Sequence, residues 1–128
     1  ADSQGRLLVA ATRGGGDRTA ALVERYSPSG RLDPSFGGGD GVVATDFGLP
    51  TSTEPATESG PSYSIQTFVY SVTVDSSDRI VLTGERANGT FWFKSHMYGR
   101  FEVYIGRLTA AGEADPSFSV GGVLTLPG

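Results

Sequence analysis

The chain reads as an all-β protein made of two copies of one antiparallel unit, with about seven strands in all. Three observations predict this. Glycine and proline, at 19 and 7 of 128 residues, punctuate the chain more densely than helices allow. The segments between them are short and rich in Val, Leu, Ile, Thr, Phe and Tyr, and the runs of Ala, Leu, Glu and Lys that favour helix are absent. The order of strands and turns near the N-terminus also recurs later in the chain.

Two matched segments carry that recurrence. Asp2-Ser3-Gln4-Gly5-Arg6-Leu7-Leu8-Val9-Ala10-Ala11 matches Asp75-Ser76-Ser77-Asp78-Arg79-Ile80-Val81-Leu82-Thr83-Gly84, at an offset of 73. The stretch from Arg25 through Ser27-Pro28-Ser29-Gly30 to Asp33-Pro34-Ser35-Phe36 matches that from Arg107 through Thr109-Ala110-Ala111-Gly112 to Asp115-Pro116-Ser117-Phe118, at an offset of 82. Each copy then ends in glycines and a short apolar run, 42–45 and 123–126. The difference in offset places nine extra residues in the second copy, within 85–106.

In chain order, 6–11 is a continuous apolar run, as expected of a strand covered on both faces. Segment 20–26 follows, then the turn at Asp33-Pro34, and 42–45. Residues 67–74 alternate: Phe68, Tyr70, Val72 and Val74 are expected on one face. Segment 79–84 repeats the continuous run, and 100–108 alternates again, with Phe101, Val103 and Ile105 opposite Glu102 and Tyr104. Asp75-Ser76-Ser77-Asp78 and Asp2-Ser3-Gln4-Gly5 sit at reversals, where Asp and Ser bond their own backbone. Asp33-Pro34 and Asp115-Pro116 open rigid bends, because proline fixes φ. Phe36 and Phe118 follow them and are expected to fill the gap between adjacent units.

This accounting gives the second copy four strands and the first copy three. The counterpart of 67–74 falls before Asp2, so the unit is expected to be incomplete alone, with an unpaired edge at 6–11 that can template further pairing. The expected organisation is a first repeat over 1–48, a flexible insertion loop over 49–66, and a second repeat over 67–128 that carries an aromatic hairpin insertion at 85–106. The loop assignment rests on a Pro-, Ser-, Thr- and Glu-rich composition without periodicity.

These residues resemble the delta-60 repeat, a bacterial β-propeller repeat with a strand ending in Gly and a Gly-x-Leu-Asp-x-Ser-Phe-Gly turn. The first copy keeps that turn as Gly30-Arg31-Leu32-Asp33-Pro34-Ser35-Phe36-Gly37. The second departs from it, with Ala114 for the Leu and Ser119 for the final Gly. The resemblance leaves out 49–66 and part of 85–106. It implies two antiparallel β-propeller-like blades, secreted or at the bacterial surface, assembling with further blades from the same or another chain. A propeller closes with about four to eight blades, so two form a piece of one. The family implies no particular activity.

Composition narrows the function classes. Net charge is −4 and the ten Lys and Arg are scattered, so the basic stripe of a nucleic-acid binder is missing, as is the patch that attracts anionic lipid. No apolar run reaches the roughly 20 residues of a membrane-spanning helix, and Ala1-Asp2-Ser3-Gln4 shows no charged leader or apolar signal core, so the signal of an exported protein is expected to have gone already. Without cysteine there is no disulfide framework and no thiolate metal site.

Catalytic raw material is poor. His96 is the only histidine, no serine lies in a nucleophile-elbow sequence, and Glu113 and Asp115 fall in repeat turns. Gly14-Gly15-Gly16 and Gly37-Gly38-Gly39 lack the Lys-Ser/Thr ending of a phosphate loop. Asp33, Asp40 and Asp46 match no calcium-loop spacing and read as turn caps. No catalytic residue, cofactor or metal is therefore expected. Asn88-Gly89-Thr90 matches a glycosylation acceptor, which a bacterial origin would leave unmodified.

The most unusual segment is 85–106. It holds Phe91, Trp92, Phe93, His96, Met97, Tyr98, Arg100, Phe101 and Tyr104, including the only Trp, His and Met. The first reading is an elongated hairpin whose aromatics cover the core or a neighbouring chain. The second is a recognition surface using Phe91, Trp92, Phe93, His96, Tyr98, Arg100 and Tyr104, since Trp, Tyr and Arg anchor interfaces and aromatic faces stack on sugar rings. The expected function is accordingly a non-enzymatic structural or protein-interaction module. A carbohydrate-binding protein built on Trp92, Tyr98 and Tyr104 is the alternative.

Overall fold

The computed structural model of the chain describes residues 1–15, 18–45, 47, 62–93 and 96–126, and gives the backbone alone for 14–15, 18–19, 62–66, 87–93 and 96–101. It is all-β, with no helix among the described residues. The strands are β1 (Leu7–Gly15), β2 (Arg18–Tyr26), β3 (Val42–Thr45), β4 (Ser62–Val74), β5 (Ile80–Phe93), β6 (His96–Leu108) and β7 (Val123–Leu126).

Two antiparallel sheets result. In the first, β2 pairs β1 on one side and β3 on the other. The second is a meander, β4–β5–β6–β7. The sheets meet through one parallel bridge, Arg18↔Ile65, and the Val69 N–H donates to the Thr12 hydroxyl at 3.2 Å. Among the described residues the strand path keeps free ends and does not close.

The turns of the two copies are built alike. At the first reversal the Asp2 N–H donates to the Arg6 carbonyl and the Asp75 N–H to that of Arg79, both at 2.9 Å. The Asp2 and Asp75 carboxylates accept from the backbone and Nε of Arg6 and Arg79. After β2 and β6 the Ser27 and Thr109 N–H groups donate to the Arg31 and Glu113 carbonyls at 2.7 Å. Gly30 and Gly112 take φ of +86° and +99° there, a region that penalises a side chain.

Several expectations need correction. Residues 62–66, assigned to the insertion loop, continue β4; of 49–61 nothing is described. The 85–106 insertion, by contrast, is an elongated hairpin as in the first reading: its backbone continues β5 and β6, with one register shift between Asn88 and Phe91, and stays paired out to Phe93↔His96. In β4 the four alternating apolar residues do not share one face. A bulge between Val69 and Ser71 turns Tyr70 outward, leaving it 66% exposed.

The face of β6 is opposite to that expected: Tyr104, Gly106 and Leu108 are buried, while Val103 is exposed and Ile105 half-buried. These three pair with Gly84, Leu82 and Ile80 on β5, so the face is chosen by the partner strand, where Ile80 and Leu82 are fully buried. The run 6–11 is not covered on both sides either; Leu7 and Val9 are exposed.

The core lies between the sheets, and each sheet contributes a different face to it. The first sheet gives Ala21, Val23 and Arg25, with Leu8, Ala10 and Val43 packed nearby. The offset of 82 aligns Ala21, Val23 and Arg25 with Val103, Ile105 and Arg107, which lie on the second sheet's outer face. The second sheet instead buries Ile80, Leu82, Tyr104 and Leu108, whose counterparts Leu7, Val9, Leu22 and Tyr26 lie on the outer face of the first. The two sheets thus stack in the same sense rather than as mirror images.

Gly84 reflects the crowding inside the second sheet. A Cβ there would lie 1.9 Å from the Phe68 carbonyl oxygen on β4. Its counterpart on β1, which pairs only with β2 among the described residues, is Ala11.

Candidate interaction surfaces

The best-defined polar geometry is the Asp-Pro-Ser-Phe bend, present twice. Proline presets φ for the turn, and the Phe36 N–H closes it on the Asp33 carbonyl at 3.1 Å, as does Phe118 on Asp115. The Asp33 Oδ1 accepts from the Ser35 N–H and hydroxyl at 2.9 and 2.7 Å, and Asp115 from Ser117 at 2.9 and 2.6 Å. The other carboxylate oxygen receives the Arg25 Nε at 2.9 Å, or the Arg107 Nε at 2.7 Å. Each guanidinium also lies over the following ring, Arg25 at 4.5 Å from the Phe36 centroid and Arg107 at 4.9 Å from that of Phe118.

The sequence pattern by itself assigns Arg25 and Arg107 no role. The signal available was an Arg eight residues before the Asp in both copies, a spacing that a turn and a returning strand bring back to one place.

The two bends differ in what covers them. Phe36 is fully buried against the second sheet's 109–112 turn, where a Cβ on Gly112 would come 3.0 Å from its ring. The Gly37 N–H donates to the Ala111 carbonyl at 2.9 Å and the Arg25 Nη1 to that of Ala110. Phe36 therefore fills the gap between the units as expected. Phe118 does not, and stays half-exposed beside Val120, which is 86% exposed. The Arg25 side chain is 3% exposed and that of Arg107 18%.

The Ser35 hydroxyl and N–H, with Arg25 behind them, hold the Asp33 carboxyl down to about 2. Asp115 is lowered in the same way by Ser117 and Arg107. At Asp2 and Asp75 burial pushes upward, and the hydrogen bonds from Arg6 and Arg79 more than offset it. A carboxyl lower in the folded than in the unfolded state stabilises fully above the unfolded value, about 4, and that contribution is lost as pH falls through the folded one. The urea midpoint is therefore expected to stay flat from about pH 7 to 5 and to drop steadily between about pH 4 and 2. Denaturation followed by circular dichroism across this range is the check.

Of the proposed aromatic surface, Tyr104 is a core residue. It is 1% exposed, with its ring 6.0 Å from that of Phe47. Burial pushes its hydroxyl up to about 12, with the charge of Tyr70 adding to the shift. Among the described residues the buried hydroxyl has no hydrogen-bond partner. Tyr104→Phe is therefore expected to leave stability unchanged or to raise it by up to ~1 kcal/mol, read from urea denaturation.

The backbone pairs Phe91 with Tyr98, Trp92 with Met97 and Phe93 with His96. The side chains of Phe91, Trp92, Phe93, His96, Tyr98 and Arg100 lie outside the described residues. Asp40 caps the Val42 N–H at 3.1 Å, as expected, while Asp46 lies outside the described residues. Comparison with family models, curated proteins and solved structures finds no match to this chain.

Proposed function

We propose that this chain is a non-enzymatic structural or protein-interaction module: two adjacent blades of a larger β-propeller-like assembly, of the delta-60 repeat type, from an exported bacterial protein. One observation carries the reading. Among the described residues the first sheet has three strands where the second has four, and β1 lies at its edge with Leu7 and Val9 exposed. An edge strand with apolar residues invites a further strand or chain. The twice-built Asp-Pro-Ser-Phe bend adds support, because it spends its polar groups internally and presents a phenylalanine to whatever stacks next.

The test is the native mass of the particle, by light scattering on a dilution series. Masses above the 13.3 kDa of one chain that fall on dilution are expected. A stable monomer across the series would remove the assembly reading.

A further inference from the structure

We propose that copies of this chain join head to tail, the outer face of the second sheet of one copy docking on the outer face of the first sheet of another. The inference rests on the module reading above and names its surface and partner. Its template is the contact between the two sheets within the chain. That contact uses one face of each sheet, and, β4 apart, the counterpart of each of those faces lies on the outer side of the other sheet.

On the donor side, Val103, Ile105, Arg107 and Phe118 stand where Ala21, Val23, Arg25 and Phe36 stand in the first copy. Val103 is 42% and Leu124 39% exposed. On the acceptor side, Leu7 and Val9 stand where Ile80 and Leu82 stand in the second copy, and are 53% and 49% exposed rather than buried. Leu126, paired with Val103, shares the donor face, so Leu7, Val9, Val103, Leu124 and Leu126, five of the eight large apolar side chains exposed among the described residues, lie on these two faces. The polar partners recur as well. The Ser119 N–H takes the position of the Gly37 N–H, and the exposed Pro28 and Ser29 take those of Ala110 and Ala111, whose carbonyls receive Arg25 and Gly37. Gly30 leaves the same opening as Gly112, with nothing within 4 Å of an added Cβ.

Four contacts do not carry over. The Arg18↔Ile65 bridge and the hydrogen bond from the Val69 N–H to the Thr12 hydroxyl are made to β4, which has no counterpart among the described residues of the first copy. Glu24 stands where Gly106 makes room for the Phe47 ring, and Gly5 where the Asp78 carboxylate accepts from Ser3. Association between chains is thus weaker than the contact within one. Because the two surfaces differ, the contact is heterologous and leads to rings or open stacks rather than a symmetric dimer.

The test uses one lysine on each face, at positions whose cross-strand partner is acidic. Val9→Lys faces Glu24 and Val103→Lys faces Glu85, which favours folding in both variants. Each variant alone keeps one intact face and is expected to remain monomeric at concentrations where the wild type associates. An equimolar mixture of the two is expected to give a two-chain particle and nothing larger, read by sedimentation velocity. Leu7→Ser and Leu124→Ser are a second pair should either lysine variant melt early. Wild-type association that neither pair alters, or variants that stay monomeric when mixed, overturns the head-to-tail contact while the module reading stands. A wild type that is monomeric throughout overturns both.

Discussion

Phe36→Ala is expected to cost about 3–5 kcal/mol, whereas Phe118→Ala in the same motif should cost about 1 kcal/mol or less in dilute solution. The rings are chemically identical and both lie under an arginine. Only Phe36 is enclosed, against the turn that holds Gly112. Truncating it removes apolar contacts from both sheets and leaves a void that rigid β structure cannot collapse to fill. It also takes the cover from the Arg25 guanidinium, which must stay paired with Asp33 in a buried setting. Total stability in a domain of this size is about 5–15 kcal/mol, so the first variant approaches unfolding at ambient temperature. Urea midpoints of the two variants under one buffer decide it. Equal losses would mean that Phe36 does not join the two sheets.

Gly84→Ala should be nearly as damaging, at about 3 kcal/mol. The added methyl would lie on the Phe68 carbonyl oxygen and within 3.0 Å of the Val69 Cα, all of it main chain that cannot rotate aside. To admit it, β4 has to move off β5 next to the bulge at Tyr70, loosening the Val69↔Gly84 pairing. Hydrogen exchange separates this from a general loss of stability. Amides of β4 and β5 near the bulge should lose protection first, while those of β1 and β2 keep theirs. Uniform loss would place the crowding elsewhere.

Much of the architecture was legible because turn chemistry is local. Asp-Ser-Ser-Asp, Ser-Pro-Ser-Gly and Asp-Pro-Ser-Phe each close hydrogen bonds within a few residues, so their positions fix the strand ends whatever packs above them. Which side of each strand is buried was not legible. Alternation in β6 is ambiguous, since Phe101, Val103 and Ile105 compete with Tyr104 and Leu108, and the choice belongs to the neighbouring sheet. The bulge that turns Tyr70 outward leaves no mark in the sequence apart from the glycine across from it. Tyr104 reads as an interface aromatic by type, and only the partner strand and the Phe47 ring make it core. The arginines of the repeated bend were visible as matched positions. Their pairing with Asp33 and Asp115 depends on the chain returning over eight residues, which a pattern of apolar and polar letters does not encode.

The difference between Ala11 and Gly84 bears on how identical molecules avoid entanglement. A strand shaped like β4 can lie on β5 only because residue 84 carries no side chain; the matching residue on β1 is Ala11, whose methyl group a strand bulged in the same way would meet. The chain is therefore a poor host for its own β4, and two molecules gain little by trading that segment. A strand added beside β1 would have to run past Ala11 without the kink, a steric filter that favours a foreign strand over a swapped one.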